Sequence, residues 1–257
     1  MDLRIAGKVA LVCASTSGLG LGIAKALAAE GAHVIITGRR AELAIELAAT
    51  MPHAMGLGVD LVSMGGVDSL MSRVEKVHSG IDILVLNGGG PTPGRAAALS
   101  DDDLVDAIDL LVRPQRHLIQ GVLSGMVERG WGRILAVGSF GVDEPLPNLA
   151  ASNIGRAALA GLIKTLASEV AGNGVTCNMI MPGRIRTDRV NDLDEQAAKR
   201  EGTSSDSVRA ASEARIPAGR YGTPAEFGAA AAFLCSSQAS YITGIQMRVD
   251  GGLVRSY

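Results

Sequence analysis

The chain has 257 residues, a formal net charge of −2 and a hydrophobic fraction of 47%. That length suits one α/β domain able to bury a large core. The charge supplies no field for nucleic acid or an acidic membrane, and no apolar run is long enough to span a bilayer, so neither partner is expected.

The first element is an apolar strand over Lys8–Ala14. It has no basic flank and ends in a glycine-rich turn, which argues against a secretory leader and leaves a cytoplasmic protein as the expectation. The turn reads Cys13-Ala14-Ser15-Thr16-Ser17-Gly18-Leu19-Gly20 and feeds a helix over Gly18–Glu30. Gly18 and Gly20 let backbone approach a pyrophosphate, the helix start offers unpaired N–H groups, and Ser15, Thr16 and Ser17 add hydroxyl donors. A second strand, His33–Thr37, runs into Gly38-Arg39-Arg40. A site for NAD would place an acid there to accept from the ribose 2′-hydroxyl; arginines suit a 2′-phosphate, so NADP is expected over NAD.

A third strand, Ala54–Val59, precedes Asp60 and Leu61, and a fourth, Ile81–Asn87, leads into Gly88-Gly89-Gly90. One long helix is expected over Asp101–Arg129, then a fifth strand over Arg133–Gly138 followed by Ser139. The next helix spans Leu149–Ala171, and a sixth strand, Val175–Met181, ends at Pro182-Gly183-Arg184-Ile185-Arg186-Thr187. The polar stretch Thr187–Arg215 reads as a helical insertion over the sheet edge, with 184–217 either a lid or a plain solvated helix pair. Thr223-Pro224 caps a last helix over Pro224–Ser236, and a seventh strand spans Ile245–Val249. Apolar strands alternating with helices predict a single doubly wound (Rossmann) domain over 1–257, with about seven parallel strands and helices on both faces. Cys13, Cys177 and Cys235 lack metal-ligand spacing and read as buried small hydrophobes, so no metal is expected.

Together these motifs resemble the short-chain dehydrogenase/reductase family from about Gly7 to Gly252. Its T-G-x-x-x-G-x-G appears as C-A-x-x-x-G-x-G, with Ala14 in place of the first glycine. Its D-I-L-V-N-N-A-G appears as Asp82 to Gly89, retaining Asn87 and replacing alanine by Gly88. The resemblance assigns the cofactor site to Ala14 through Gly20, Arg39, Arg40, Asp60, Leu61, Asn87, Gly88, Gly89, Arg156, Pro182, Gly183, Ile185 and Thr187. In that assignment Asp60 meets the adenine amine, and the Pro182–Thr187 segment meets the nicotinamide amide. It also implies a small-molecule substrate, with an acyl thioester as one class, and a homodimer or homotetramer.

The family's catalytic Asn, Ser, Tyr and Lys are only partly retained. Ser139 fits the serine. Ser152 stands at the tyrosine place, Arg156 at the lysine place and Leu111 at the asparagine place. Ser152 and Arg156 are four apart and share one helix face. The three tyrosines, Tyr221, Tyr241 and Tyr257, all fall in C-terminal segments without the Y-x-x-x-K spacing. The chain is similar to a divergent branch of β-ketoacyl-carrier-protein reductases in which S-N-x-x-R replaces that motif. The expected function is an NADP(H)-dependent oxidoreductase of carbonyls or alcohols with a degenerate tetrad. A cofactor-binding sensor or scaffold, or a different reaction using the loop carboxylates Asp143 or Glu144, are the alternatives. Arg184, Arg186 and Arg189 form a basic cluster that could bind an anionic substrate or be solvated, and His117 is expected to be structural.

Overall fold

The computed structural model describes residues 1–256, with Met64 described by its backbone only; Tyr257 lies outside the described residues. Seven strands form one parallel sheet: β1 (Val9–Val12), β2 (His33–Gly38), β3 (Ala54–Gly58), β4 (Ile83–Leu86), β5 (Gly132–Val137), β6 (Val175–Pro182) and β7 (Gln246–Val249). Their spatial order is β3-β2-β1-β4-β5-β6-β7. Each strand end falls within two residues of its sequence expectation.

Strand side chains alternate between two cores, which is why the strands read as continuous apolar runs. Val9, Leu11 and Cys13 join one core with Leu84, Ile134 and Leu159. Ala10 and Val12 join the other with Ile23, Val85 and Phe227. All three cysteines are free and buried, and burial pushes each thiol up to about 12.

The helices are α1 (Gly18–Ala29), α2 (Ala41–Ala49), α3 (Met64–Glu75), α4 (Asp101–Leu111), α5 (Arg113–Glu128), α6 (Ala150–Val170), α7 (Asp188–Glu201), α8 (Ser205–Glu213) and α9 (Pro224–Leu234). The single helix expected over Asp101–Arg129 is corrected to two, α4 and α5, broken at Val112. Pro114 in the first turn of α5 is the cause, since proline lacks the N–H that would continue the ladder and crowds the preceding turn. A capping box between Thr223 and Glu226 starts α9. That helix lies very close to α1: a side-chain carbon on Gly22 would stand 2.4 Å from the Pro224 carbonyl oxygen, and one on Gly228 would stand 2.4 Å from that of Gly22. These two glycines let α1 and α9 pack backbone against backbone.

The polar stretch after β6 forms the packed pair α7 and α8. Asp194 on α7 is buried, with its carboxylate 3.3 Å from an Arg184 guanidinium nitrogen and accepting from the Tyr221 hydroxyl at 2.9 Å. That polar knot anchors α7 to the loop after β6.

Candidate active site

Chain order reverses between β1 and β4, which sit side by side with their successors leading away in opposite directions. Such a switch point leaves a crevice at the carboxyl ends of the strands. Here it opens into a cavity of about 660 Å³.

One wall is the turn between β1 and α1, contributing Ala14, Ser17, Gly18 and Leu19, together with Asn87 to Gly90 after β4. Ala14 adopts φ +46°, the left-handed conformation that favours glycine. The sequence reading flagged this position, and the turn keeps the glycine-type geometry despite the alanine. Gly20 must lack a side chain: a carbon there would stand 2.5 Å from the Ala14 carbonyl oxygen and 2.7 Å from the Asn87 amide nitrogen. The Ser17 hydroxyl caps no backbone N–H of α1, so the first-turn donors remain available beside the cavity.

Ser15 departs from its expected role. Its side chain is buried; its hydroxyl donates to the Val12 carbonyl at 2.6 Å and accepts from the Thr37 backbone N–H at 3.0 Å. It holds β1 to β2 and is not a free hydroxyl donor, a correction with a plain cause: the turn bends the side chain inward. Asn87 is likewise occupied, donating to the Cys13 and Ala14 carbonyls at 3.2 and 3.1 Å. It clamps the end of β4 to the turn.

Arg39 and Arg40 are both exposed at the carboxyl end of β2, and Arg40 reaches the Thr16 hydroxyl at 3.5 Å. Asp60 and Leu61 follow β3 on the same edge, beyond the cavity lining, where Asp60 accepts from the Val62 N–H at 3.1 Å. Pro182, Gly183, Ile185 and Thr187 line the cavity after β6. A carbon on Gly18 would stand 3.5 Å from the Thr187 methyl, so this loop closes over the start of α1.

The opposite wall carries Ser139, Ser152 and Arg156. Ser139 follows β5, and its hydroxyl oxygen accepts from the Gly141 N–H at 3.0 Å, leaving its proton free to donate. Ser152 and Arg156 project from the first turns of α6. Arg156 is half-buried and donates to the Val137 carbonyl at 3.0 Å. Burial, and then the neighbouring Arg189, pull its guanidinium down to about 10. It remains cationic at neutral pH.

The asparagine place of the family pattern holds Leu111, and a different asparagine, Asn148, lines the cavity. Leu111 is buried against Gly155 of α6, where a side-chain carbon would come within 2.7 Å of the leucine. Asp109 and Arg113 pair with each other at 2.9 Å. Asp143 pairs with Arg248 at 2.6 Å, and neither it nor Glu144 lines the cavity. His117 binds Asp68 at 2.8 Å, away from the cavity, in a structural role. Arg186 is exposed and outside the lining, whereas Arg184 and Arg189 belong to it. Among the described residues, no cluster of three metal-ligating side chains occurs and no helix is long and apolar enough to cross a membrane.

The sequence reading missed Gln115. Its side chain is buried, its amide oxygen has no partner, and its amide nitrogen lies 3.6 Å from where a carbon on Gly88 would stand. The signal was Pro114, whose helix break turns the next residue toward the loop after β4. Gln115 stands behind the lining, whereas Arg200 and Arg215, from α7 and the segment after α8, belong to it.

Residues 13–254 match the family model described as enoyl-(acyl carrier protein) reductase. The chain is 36% identical over 251 residues to dehydrogenase/reductase SDR family member 4 of Bos taurus, covering 95% of this chain and 86% of that protein. It is 33% identical over 254 residues to the 3-oxoacyl-[acyl-carrier-protein] reductase of Vibrio harveyi, covering 98% and 99%. Its fold superposes with a TM-score of 0.94, at 31% identity and full coverage of both chains, on L-sorbose reductase from Gluconobacter frateurii, solved with NADPH and L-sorbose. The chain therefore belongs to the short-chain dehydrogenase/reductase family.

Proposed function

We propose that this protein is an NADP(H)-dependent oxidoreductase acting on a carbonyl or alcohol through an altered proton-handling apparatus. One observation carries the reading: Ser139, Ser152 and Arg156 converge on the same cavity whose facing wall is the glycine-bare turn and the start of α1. The wall fits a dinucleotide, because the Gly20 cradle would be filled by a single carbon and the first-turn donors of α1 are open. Arg40 beside Thr16, with Arg39, would hold the 2′-phosphate. Ala14, Thr16 to Leu19, Gly88, Gly89, Pro182, Gly183, Ile185 and Thr187 would hold the rest, with Asp60 and Leu61 at the adenine end. Ser15 and Asn87 would support that surface through their backbone contacts. Pair α7–α8 would act as the lid.

The bound nicotinamide would supply or accept a hydride. The chain's own residues have three tasks. Ser139 donates to the substrate oxygen. Ser152 adds a second hydroxyl donor. Arg156 stabilises negative charge developing on that oxygen and holds ribose hydroxyls. A guanidinium is a poor proton source, so the proton comes from water admitted to the cavity. Substrates to test first are 3-oxoacyl thioesters, ketones and ketoses.

The test is NADPH oxidation across these classes. Arg156→Ala should lower turnover by on the order of a hundredfold, with Ser152→Ala lowering it less and leaving NADPH affinity unchanged. Unchanged rates in both variants would refute the mapping.

A second reading, a cofactor-binding sensor or scaffold without turnover, is favoured by Leu111 occupying the asparagine place with an apolar contact. Tight NADPH binding without turnover on any class would support it. Exposed Leu104, Val105 and Ile154 on α4 and α6 support assembly into a homodimer, and exposed Tyr241 and Ile245 beside β7 support a homotetramer.

A further inference from the structure

The cavity is strongly unbalanced in charge. Five guanidiniums, those of Arg156, Arg184, Arg189, Arg200 and Arg215, line it against one carboxylate, Asp188. Arg184 is neutralised by Asp194. Arg189, Arg200 and Arg215 are exposed and Arg156 is half-buried. Arg189 differs from the other two exposed arginines in where it reaches. Arg189 starts on α7 and lays its guanidinium across to the loop after β4, so that a side-chain carbon on Gly90 would stand 2.7 Å from one of its terminal nitrogens. Arg156 approaches from α6 on the facing side. Burial, and then Arg189, raise the cost of the Arg156 charge. Among the described residues, no carboxylate lies within ion-pairing distance of either.

Two cations that line one cavity with no carboxylate partner, one of them half-buried, favour an anion between them. The arginines assigned to the cofactor's 2′-phosphate, Arg39 and Arg40, stand on a separate edge after β2, so neither Arg156 nor Arg189 is needed for that phosphate. We propose that Arg156 and Arg189 form a receptor for an anionic group on the substrate, a carboxylate or a phosphate, carried on the same molecule as the reacting oxygen. The proposal rests on the oxidoreductase reading for the identity of that oxygen, but the receptor itself does not. Planar forks from α6 and α7 suit either anion, because both present oxygens in matching geometry.

Three six-carbon probes separate the sources: gluconate bears a carboxylate, glucose 6-phosphate a phosphate, and sorbitol neither. Calorimetric titration of the full chain, with and without saturating NADPH, should show at least one anion binding about tenfold or more tighter than sorbitol. The preference should survive NADPH and should vanish in Arg189→Ala while remaining in Arg189→Lys. Equal or absent binding of all three probes would overturn the proposal. So would displacement of the anions by NADPH, which would assign the pair to the cofactor. Failure of NADPH to bind would defeat the oxidoreductase reading alone, since the unloaded chain still decides the anion preference.

Discussion

The two walls of the cavity have diverged from the family pattern to different degrees. On the nucleotide wall one glycine has become Ala14, and the backbone retains the left-handed conformation all the same. On the facing wall three of four catalytic positions have changed, to Leu111, Ser152 and Arg156, yet the last two still reach the cavity. The nucleotide wall works through backbone geometry, which tolerates a methyl group at a modest cost. The facing wall works through side-chain chemistry, where a phenol cannot be exchanged for an aliphatic hydroxyl without changing the proton route. On the proposed reading, binding and chemistry are separable in this fold, and the chemistry is the more altered of the two.

That contrast can be broken most severely at Gly20. Gly20→Ala drives a carbon to 2.5 Å from a backbone oxygen, and overpacking of this kind costs about 3 kcal/mol. If the cradle absorbs it, NADPH affinity should drop by roughly a hundredfold; fluorescence titration reads this, and undiminished affinity would mean the turn is not the nucleotide wall. The mildest and most pointed test is Ala14→Gly. Relieving the positive φ should stabilise the chain by about 1 kcal/mol, seen as a rise in Tm of about 2–4 °C. A fall in Tm would show that the alanine is accommodated without strain.

Much of this was legible in the sequence. Strands buried on both faces announce themselves as apolar runs, Gly18 and Gly20 mark the turn by composition, and the family resemblance singles out Ala14. The Ser152–Arg156 spacing was sufficient to predict a shared face. Three things were not legible. Ser15 looked like a donor to phosphate, because its inward rotation depends on Thr37 of the neighbouring strand. The break at Val112 was hidden by apolar periodicity continuing on both sides of Pro114. The reach of Arg189 across to Gly90 depends on how α7 docks, which is set by the distant contact between Asp194 and Tyr221. Local pattern does not encode such tertiary placement.

The account turns on an NADP(H) site that persists beside altered chemistry. Calorimetric titration of the full chain with NADPH and NADH, repeated on Arg40→Ala, tests it most directly. The wild-type chain should bind NADPH about tenfold or more tighter than NADH, since a charge-assisted phosphate contact contributes about 1.5–3 kcal/mol, and Arg40→Ala should lose most of that preference with NADH affinity unchanged. Equal affinity for the two nucleotides, or tighter NADH binding, would contradict it.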